Sequence, residues 1–161
     1  MNKKLDPLDL KLLAWLQVDN LLTAEILAER VGLSPSAVAR RLRHLRSSRA
    51  IAADVAIVSE QALGHPLSAI IHVQLERHAL TEVASFKRLL ATCENIQFCL
   101  EISGAFDILL LVVVADMEAF NLFADDLLAG QRAVRRYETS FVKRRLKASL
   151  ALPLEQLAGG A

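Results

Sequence analysis

A glycine and a Ser-Pro pair, set between two short stretches of helical apolar spacing, constrain the fold of this chain more than any other feature. Thr23 is a typical helix N-cap, and the helix that it opens ends at Gly32, where a helix end favours a positive φ angle. Ser34 and Pro35 then supply an N-cap and a first-turn proline for the next helix, which we expect to end near Ser48. Two short helices joined across a tight turn predict a helix-turn-helix.

A further helix precedes this pair. Asp6 and Pro7 again form an N-cap with a first-turn proline, and Leu8, Leu12 and Leu16 then recur at helical spacing. Residues 1–50 hold nine Lys/Arg against five Asp/Glu, a net charge of +4, whereas residues 51–161 hold ten against thirteen, a net charge of −3. The basic part of the chain is therefore the part that predicts the helix-turn-helix.

The third helix divides into an apolar and a basic side. Val38, Leu42 and Leu45 set the side that we expect to be buried, with Arg41 and Arg46 beside it. Five arginines and no acidic residue occur between residues 34 and 49. A solvated basic face is the alternative, but after a helix and a glycine turn this sign bias favours double-stranded DNA in a major groove. The predicted DNA contacts are Ser34, Ser36, Arg40, Arg41, Arg43 and His44.

The second part of the chain alternates strands and helices. Residues 51–58 alternate as a strand leaving the helix-turn-helix, which would make that domain winged, and residues 59–66 are predicted to be a linker. Beyond it the order is strand, helix, strand, strand, helix, strand, with the last strand at about 136–147. We therefore expect an α+β protein with a winged helix-turn-helix domain at 1–58, a ferredoxin-like βαββαβ domain at 67–150 and a tail at 151–161.

Two of the predicted strands bear on assembly. Ile96, Phe98, Leu100 and Ile102 alternate with more polar residues, which predicts that these four share one buried face. Residues 108–114 are apolar on both faces, although helices are expected to cover the sheet on one side only. A second copy of the same sheet is the simplest cover for the other side, so the sequence predicts a homodimer.

Three stretches resemble the leucine-responsive regulatory protein (Lrp/AsnC) family: residues 5–13, residues 27–36 with Val-Gly-Leu-Ser-Pro, and residues 38–45. Two positions depart from the family pattern, Asp19-Asn20-Leu21 after the first helix and Ala50 before the next strand. Neither departure touches the third helix. The resemblance implies a transcription regulator that dimerises through its second domain, often assembles further into tetramers or octamers, and binds an amino acid or similar metabolite between dimers.

The predicted effector site is the turn between the second and third strands of the second domain. Gly104 would let a backbone approach a ligand, and Asp107 is an acid that could meet an ammonium group, although both residues also suit a plain β-turn. The resemblance favours the ligand, because the family loop commonly reads Gly-Asp-aromatic-Asp, here with Ala105 in place of the first aspartate. The predicted effector residues are Ser103, Gly104, Ala105, Phe106 and Asp107, with Thr139 and Ser140 from a neighbouring chain.

The sequence leaves two other functions as alternatives. A sirohaem-decarboxylase-like enzyme of the same architecture would need a segment rich in histidine and arginine, and the histidines here are dispersed; a sensor module without DNA binding would not need the arginine-rich helix. The histidines and cysteines match no metal or cofactor motif. The longest apolar run, 108–115, is far shorter than the roughly 20 residues of a membrane span, so we expect a cytoplasmic protein that is not an enzyme.

Overall fold

A computed structural model describes residues 5–76 and 78–158. The chain divides into two compact units, one containing the residues up to Ile57 together with those from Lys147 onward, and the other spanning Val58–Leu146. Within the described residues the α-helices are α1 (Pro7–Leu16), α2 (Ala24–Val31), α3 (Pro35–Ser47), α4 (Leu80–Thr92), α5 (Met117–Leu127) and α6 (Leu154–Ala158), and the strands are β1 (Leu67–Leu75), β2 (Ile96–Glu101), β3 (Ile108–Val114) and β4 (Val134–Phe141). A short 3-10 helix, Glu60–Leu63, lies in the predicted linker.

The helix caps that the sequence predicts are present in the first unit and set where its helices begin and end. The side chains of Asp6, Thr23 and Ser34 each accept a hydrogen bond from a backbone N–H in the first turn of α1, α2 and α3, respectively. Gly32 ends α2 with φ at 71°, in the left-handed region where a residue with a Cβ is disfavoured. The helix-turn-helix is confirmed. The three helices share a core made of Leu12, Leu13, Leu27, Ala28, Val38, Leu42 and Leu45.

The carboxy-terminal segment returns to this first unit. The Gln17 side-chain amide binds the backbone of Leu152 twice: Nε2 donates to the Leu152 carbonyl at 3.1 Å, and Oε1 accepts from the Leu152 N–H at 2.7 Å. Leu154 packs against the core of the three helices, and α6 contacts α1. Residues 147–158 are therefore part of the unit that contains the helix-turn-helix.

The second unit is an antiparallel sheet with the strand order β2-β3-β1-β4. This order and the βαββαβ succession agree with the predicted ferredoxin-like fold. The core lies between one face of the sheet and the helices, because Ala69, Ile71 and Val73 of β1 and the alternate residues of β3 are buried against α4 and α5. We call the opposite side of the sheet the outward face; it carries Ile70, His72 and Gln74 of β1 and Leu109, Leu111 and Val113 of β3.

A bulge in β2 corrects the prediction that its apolar residues share one face. Ile96 lies opposite Val112 and packs against the core, whereas Phe98 lies opposite Leu111, with a register shift between the two positions. Phe98 and Leu100 therefore lie on the outward face, where they are 39% and 48% exposed. A strand with an extra residue turns the next side chain to the other face, which the alternating pattern cannot reveal.

Two predicted strands differ in the structure. Residues 51–58 are exposed, apart from the partly buried Ile51, and form no strand in the described part of the chain, because no other strand of this chain lies beside them to supply hydrogen bonds. The last strand runs over Val134–Phe141 rather than about 136–147. It ends there because its partner begins at Leu67: Phe141 lies opposite Ala69, and the Val142 N–H makes the next bond, to the Ser68 carbonyl. In the described residues no helix is long and apolar enough to cross a membrane.

Candidate DNA-binding surface and effector loop

The side of α3 that faces away from its core carries cations that no described residue neutralises. Arg40, Arg43 and His44 are exposed, and none of their side chains makes a hydrogen bond or ion pair with any other described residue. The opposite side of the helix holds Val38 and Leu45, which are fully buried. The core therefore fixes which way the cations face, as the helical spacing predicted.

The start of α3 presents two hydroxyl groups. The Ser34 Oγ accepts a hydrogen bond from the Ala37 N–H at 3.3 Å as the N-cap, and it lies 3.2 Å from the Ser36 Oγ. Both serines are exposed. A helix N-terminus with exposed hydroxyls is a suitable place for a phosphate oxygen, because the N–H groups of the first turn and the helix dipole both favour an anion.

Arg41 is engaged elsewhere, although it was predicted to contact DNA with its neighbours. Its guanidinium Nη1 donates to the Asp6 carboxylate at 2.6 Å and to the Asp9 carboxylate at 2.7 Å. The hydrogen bond from the Asp9 backbone, followed by that from Arg41, lowers the pKa of Asp6, and hydrogen bonds to both carboxylates raise the pKa of Arg41. Asp6 and Asp9 form the capping box of α1, so Arg41 ties the third helix to the start of the first.

Arg46 is also paired. It binds Asp54 through two nitrogens, at 2.8 and 3.3 Å, and so holds the chain that follows α3 against the end of that helix. The hydrogen bonds that Arg46 donates to Asp54 lower the pKa of Asp54 and raise the pKa of Arg46. The arginines of α3 thus divide into a free set on the exposed side and a paired set at its edges.

In the effector loop, Asp107 has a structural task. Its Oδ2 accepts a hydrogen bond from the Leu75 N–H at 2.8 Å, and its own N–H donates to the Val73 carbonyl at 2.9 Å. The carboxylate therefore caps the end of β1, which is a structural role on a neighbouring strand rather than within its own turn. Gly104 has φ at 141°, and no described atom lies within 4 Å of the place that a Cβ would take. Ser103 and Ala105 beside it are exposed.

A cluster beside the loop was not found from the sequence. The Phe106 ring lies 5.3 Å from the His72 ring, and the Arg136 guanidinium lies 5.0 Å from the Phe106 centroid. Arg136 also donates to Gln74 at 3.2 Å and lies 3.3 Å from the Glu138 carboxylate. The feature of the sequence that could have indicated this cluster is that polar residues alternate along both β1 and β4. The register of the two strands places His72 opposite Glu138 and Gln74 opposite Arg136.

Thr139 and Ser140 are not brought to the loop within one chain. They lie opposite Ile71 and Ile70 of β1, whereas the loop is bonded to Val73 and Leu75 farther along that strand. Thr139 faces the helices, and Ser140 faces outward. A groove of about 390 Å³ lies on the helix side, between the start of α4 and the residues after α5; its lining includes Thr81, Glu82, Ser85, Gly130 and Arg132.

The comparisons with protein families match both units. Residues 5–46 match the AsnC-type helix-turn-helix domain, and residues 68–152 match the Lrp/AsnC ligand-binding domain. A helix-turn-helix transcriptional regulator of Sinorhizobium fredii is 38% identical over 152 residues, which is 94% of this chain and 90% of the relative. The Bkd operon transcriptional regulator of Pseudomonas aeruginosa is 30% identical and covers 94% of this chain and 99% of its own.

Solved structures agree with the sequence relatives. A transcriptional regulator of Neisseria meningitidis, solved as a complex with L-methionine, is 32% identical, with a TM-score of 0.88 over 96% of this chain and 99% of that one. An AsnC-family regulator of Agrobacterium tumefaciens is 26% identical, with a TM-score of 0.87 over 95% and 99% of the two chains. These relatives are named as transcriptional regulators, so they give no support to the decarboxylase alternative.

Proposed function

Because the chain belongs to the Lrp/AsnC family of DNA-binding transcriptional regulators, we propose that the exposed side of α3 enters the major groove of its operator. The chain is a regulator rather than an enzyme. A regulator of this kind works where the chromosome lies, and we therefore expect it in the cytoplasm.

The free cations of α3 carry this proposal. The side chains of Arg40, Arg43 and His44 are exposed and have no partner among the described residues, so they are available to meet phosphates or the edges of bases. Ser34 and Ser36 suit the phosphate at the start of the helix. The bonds of Arg41 to Asp6 and Asp9 support a different role for this residue, in which it positions the third helix rather than contacting DNA.

The test measures, by fluorescence anisotropy, how tightly the full-length protein binds DNA from upstream of its own coding sequence. Arg40→Ala should weaken binding, and Lys11→Ala is the matched control, because Lys11 is an exposed cation on α1 without a described partner. Equal affinities for wild type, Arg40→Ala and His44→Ala would remove the assignment. A competitor duplex of unrelated sequence separates specific from general binding.

We also propose that the outward face of the sheet joins two copies of the chain. Phe98 and Leu100 are exposed there beside Leu109 and Leu111, while the residues of β1 and β4 on the same face are mainly polar. At about 25 cal/mol per Å², covering a few hundred Å² of apolar surface would stabilise a dimer by several kcal/mol. Light scattering should give twice 17.7 kDa, or a further multiple if dimers assemble into tetramers or octamers. A mass of one chain for the wild type at micromolar concentration would disprove it, whereas Phe98→Glu should produce that mass.

The third part of the proposal is an amino acid, or a similar small metabolite, bound at residues 103–107. The Neisseria relative, 32% identical, was solved with L-methionine. Open space at Gly104 and the exposed backbone of the loop support a ligand that meets main-chain amides. Ala105 removes a carboxylate that the family pattern would place there, and Asp107 keeps one oxygen free to accept a bond. Ser140, which faces outward, is the better candidate than Thr139 for a contribution from a neighbouring chain.

A thermal-shift screen with the twenty amino acids tests this part. A ligand at a hundred times its dissociation constant should stabilise the protein by about 2.7 kcal/mol. Gly104→Val should abolish the shift, because a branched side chain fills the open space in a strained backbone conformation. Ser85→Val in the helix-side groove is the control and should leave it unchanged. A shift that disappears only in the Ser85 variant would move the site to that groove.

A further inference from the structure

The five residues 143–147, which follow the last strand, hold an unusual concentration of positive charge. Of the ten Lys/Arg that follow residue 50, four lie at 143–147, and no acidic residue occurs between Glu138 and Glu155. The rest of this part of the chain is acidic on balance. A cluster of one sign in a region of the opposite sign is the electrostatic pattern of a surface that meets an anion.

Arg145 fixes the position of this basic segment. Its guanidinium Nη2 lies 2.7 Å from a carboxylate oxygen of Glu60 and donates to the Ser68 hydroxyl at 3.1 Å. Glu60 and Ser68 belong to the connection that leads into β1 and to β1 itself. The segment that leaves the second unit is therefore held against the segment that enters it.

Lys143 and Arg144 differ from Arg145. Both are exposed, and neither makes a hydrogen bond or ion pair with any other described residue. They stand next to a fixed point of the backbone, so less conformational entropy has to be lost when they bind than on a free tail. Two unpaired cations beside an anchored arginine form a surface that is ready to bind an anion.

A short stretch of chain joins these cations to Leu152. Lys147 already belongs to that unit, and Leu152 is hydrogen-bonded to Gln17, the residue that follows α1. Leu152 lies eight positions after Arg144, and a fully extended chain spans at most about 3.5 Å per position. Arg144 therefore stays within about 28 Å of Leu152, which is less than one turn of B-DNA, about 34 Å.

We propose that Lys143 and Arg144 bind DNA phosphates that flank the base pairs contacted by α3. This inference rests on the proposed binding of DNA by α3 and adds a contact that carries no sequence information. Phosphate is the anion that such a regulator meets, and neutralising it releases condensed counterions from the duplex. An acidic protein as the partner would leave the binding of DNA unchanged and is therefore an outcome of the same test.

The experiment compares two pairs of substitutions in the full-length protein. Lys143→Ala with Arg144→Ala removes two free cations after the end of β4. Arg132→Ala with Arg135→Ala removes two cations, exposed and also without described partners, at the other end of that strand, so the net charge of the two variants is the same. Thermal melting of both variants checks that the fold is intact.

Affinity is measured at several salt concentrations, on a minimal operator duplex and on one extended by about ten base pairs at each end. On the extended duplex the first pair should reduce the slope of log K against log salt by up to about 1.8 units, about 0.9 for each lost phosphate contact. The second pair should leave the slope unchanged, and the ratio of operator to unrelated DNA should be the same for both pairs.

Equal slopes for the two pairs would overturn this inference, as would an effect of the first pair that is the same on both duplexes. The proposed function can be judged separately. If the wild type binds and Arg40→Ala weakens binding while the first pair has no effect, only the phosphate contact fails. If the wild type binds neither duplex, both proposals fail together.

Discussion

The exposed side of α3 and the loop at residues 103–107 differ in whether their charged groups already have partners within the chain. Arg40 and Arg43 have no partner among the described residues, whereas Asp107 already accepts a bond from Leu75. Phe106 beside it already contacts His72 and Arg136. The cations on the exposed side of the helix are available to a partner. In the loop, by contrast, Asp107 and Phe106 already have contacts within the chain, so a ligand can be bound only by the polar groups that remain without a partner there.

The largest effect should come from the free arginines. Arg40→Ala or Arg43→Ala should each weaken operator binding by about 1–3 kcal/mol if the side chain contacts a base, because such contacts account for discrimination. Neither change should lower the melting temperature, since neither side chain has a partner in the described part of the chain. Anisotropy and thermal melting are the two measurements. If either variant lost as much unfolding free energy as binding free energy, its arginine would have a structural role, and the contrast between helix and loop would not hold.

Arg41→Ala should behave in the opposite manner, although it lies on the same helix. It removes two charged hydrogen bonds and leaves Asp9, whose side chain is only 13% exposed, without its cation. Allowing for the solvent around Asp6, we expect a loss of about 1–2 kcal/mol in unfolding free energy. Denaturant unfolding measures it. A variant with unchanged stability and weakened DNA binding would return Arg41 to the DNA-contacting set.

Asp107→Ala tests whether the carboxylate in the loop has a structural role. Removing the carboxylate deprives the Leu75 N–H of its acceptor, which should cost about 1 kcal/mol with or without an effector. Asp107→Asn is the control, because its amide oxygen can still accept that bond. If Asp107→Ala leaves the melting temperature unchanged in the absence of ligand, the carboxylate serves a ligand rather than the turn.

The smallest effect is a dependence on pH. Asp6 has a lowered pKa in the folded protein, so its contribution to stability is fully present above the pKa of the unfolded chain, about 4, and is lost as the pH falls through the lower folded pKa. The stability difference between wild type and Arg41→Ala should therefore narrow on acidification below about pH 4. Melting curves from pH 6 to pH 3 measure it, and a constant difference would contradict the ion pair.

What could be predicted from the sequence was local. The caps at Thr23 and Ser34 and the apolar spacing of α3 act within a turn or two of helix, so the helix-turn-helix and its free cations followed from the pattern. The partners of Arg41 lie 32 and 35 residues earlier, and no periodicity relates them. A purely local reading therefore assigned this arginine to the same surface as its neighbours.

The strands show the same limit. The alternation in β2 continues unbroken across its bulge, so the pattern placed Ile96 and Phe98 on one face. Residues 51–58 alternate as a strand does, but a strand also needs a neighbour, which the pattern does not supply. The bonds between Gln17 and Leu152 join residues 135 positions apart and left no sign in the sequence.

The return of residues 147–158 to the first unit has a consequence for synthesis. Domains usually fold as units in the order in which the ribosome releases them. Here the whole of the second unit emerges before Leu152 and Leu154 become available to Gln17 and to the core of the three helices. The unit that begins the chain is thus completed after the one that follows it, and a ribosome stalled after residue 146 would hold a nascent chain whose DNA-binding unit still lacks its last packing residues.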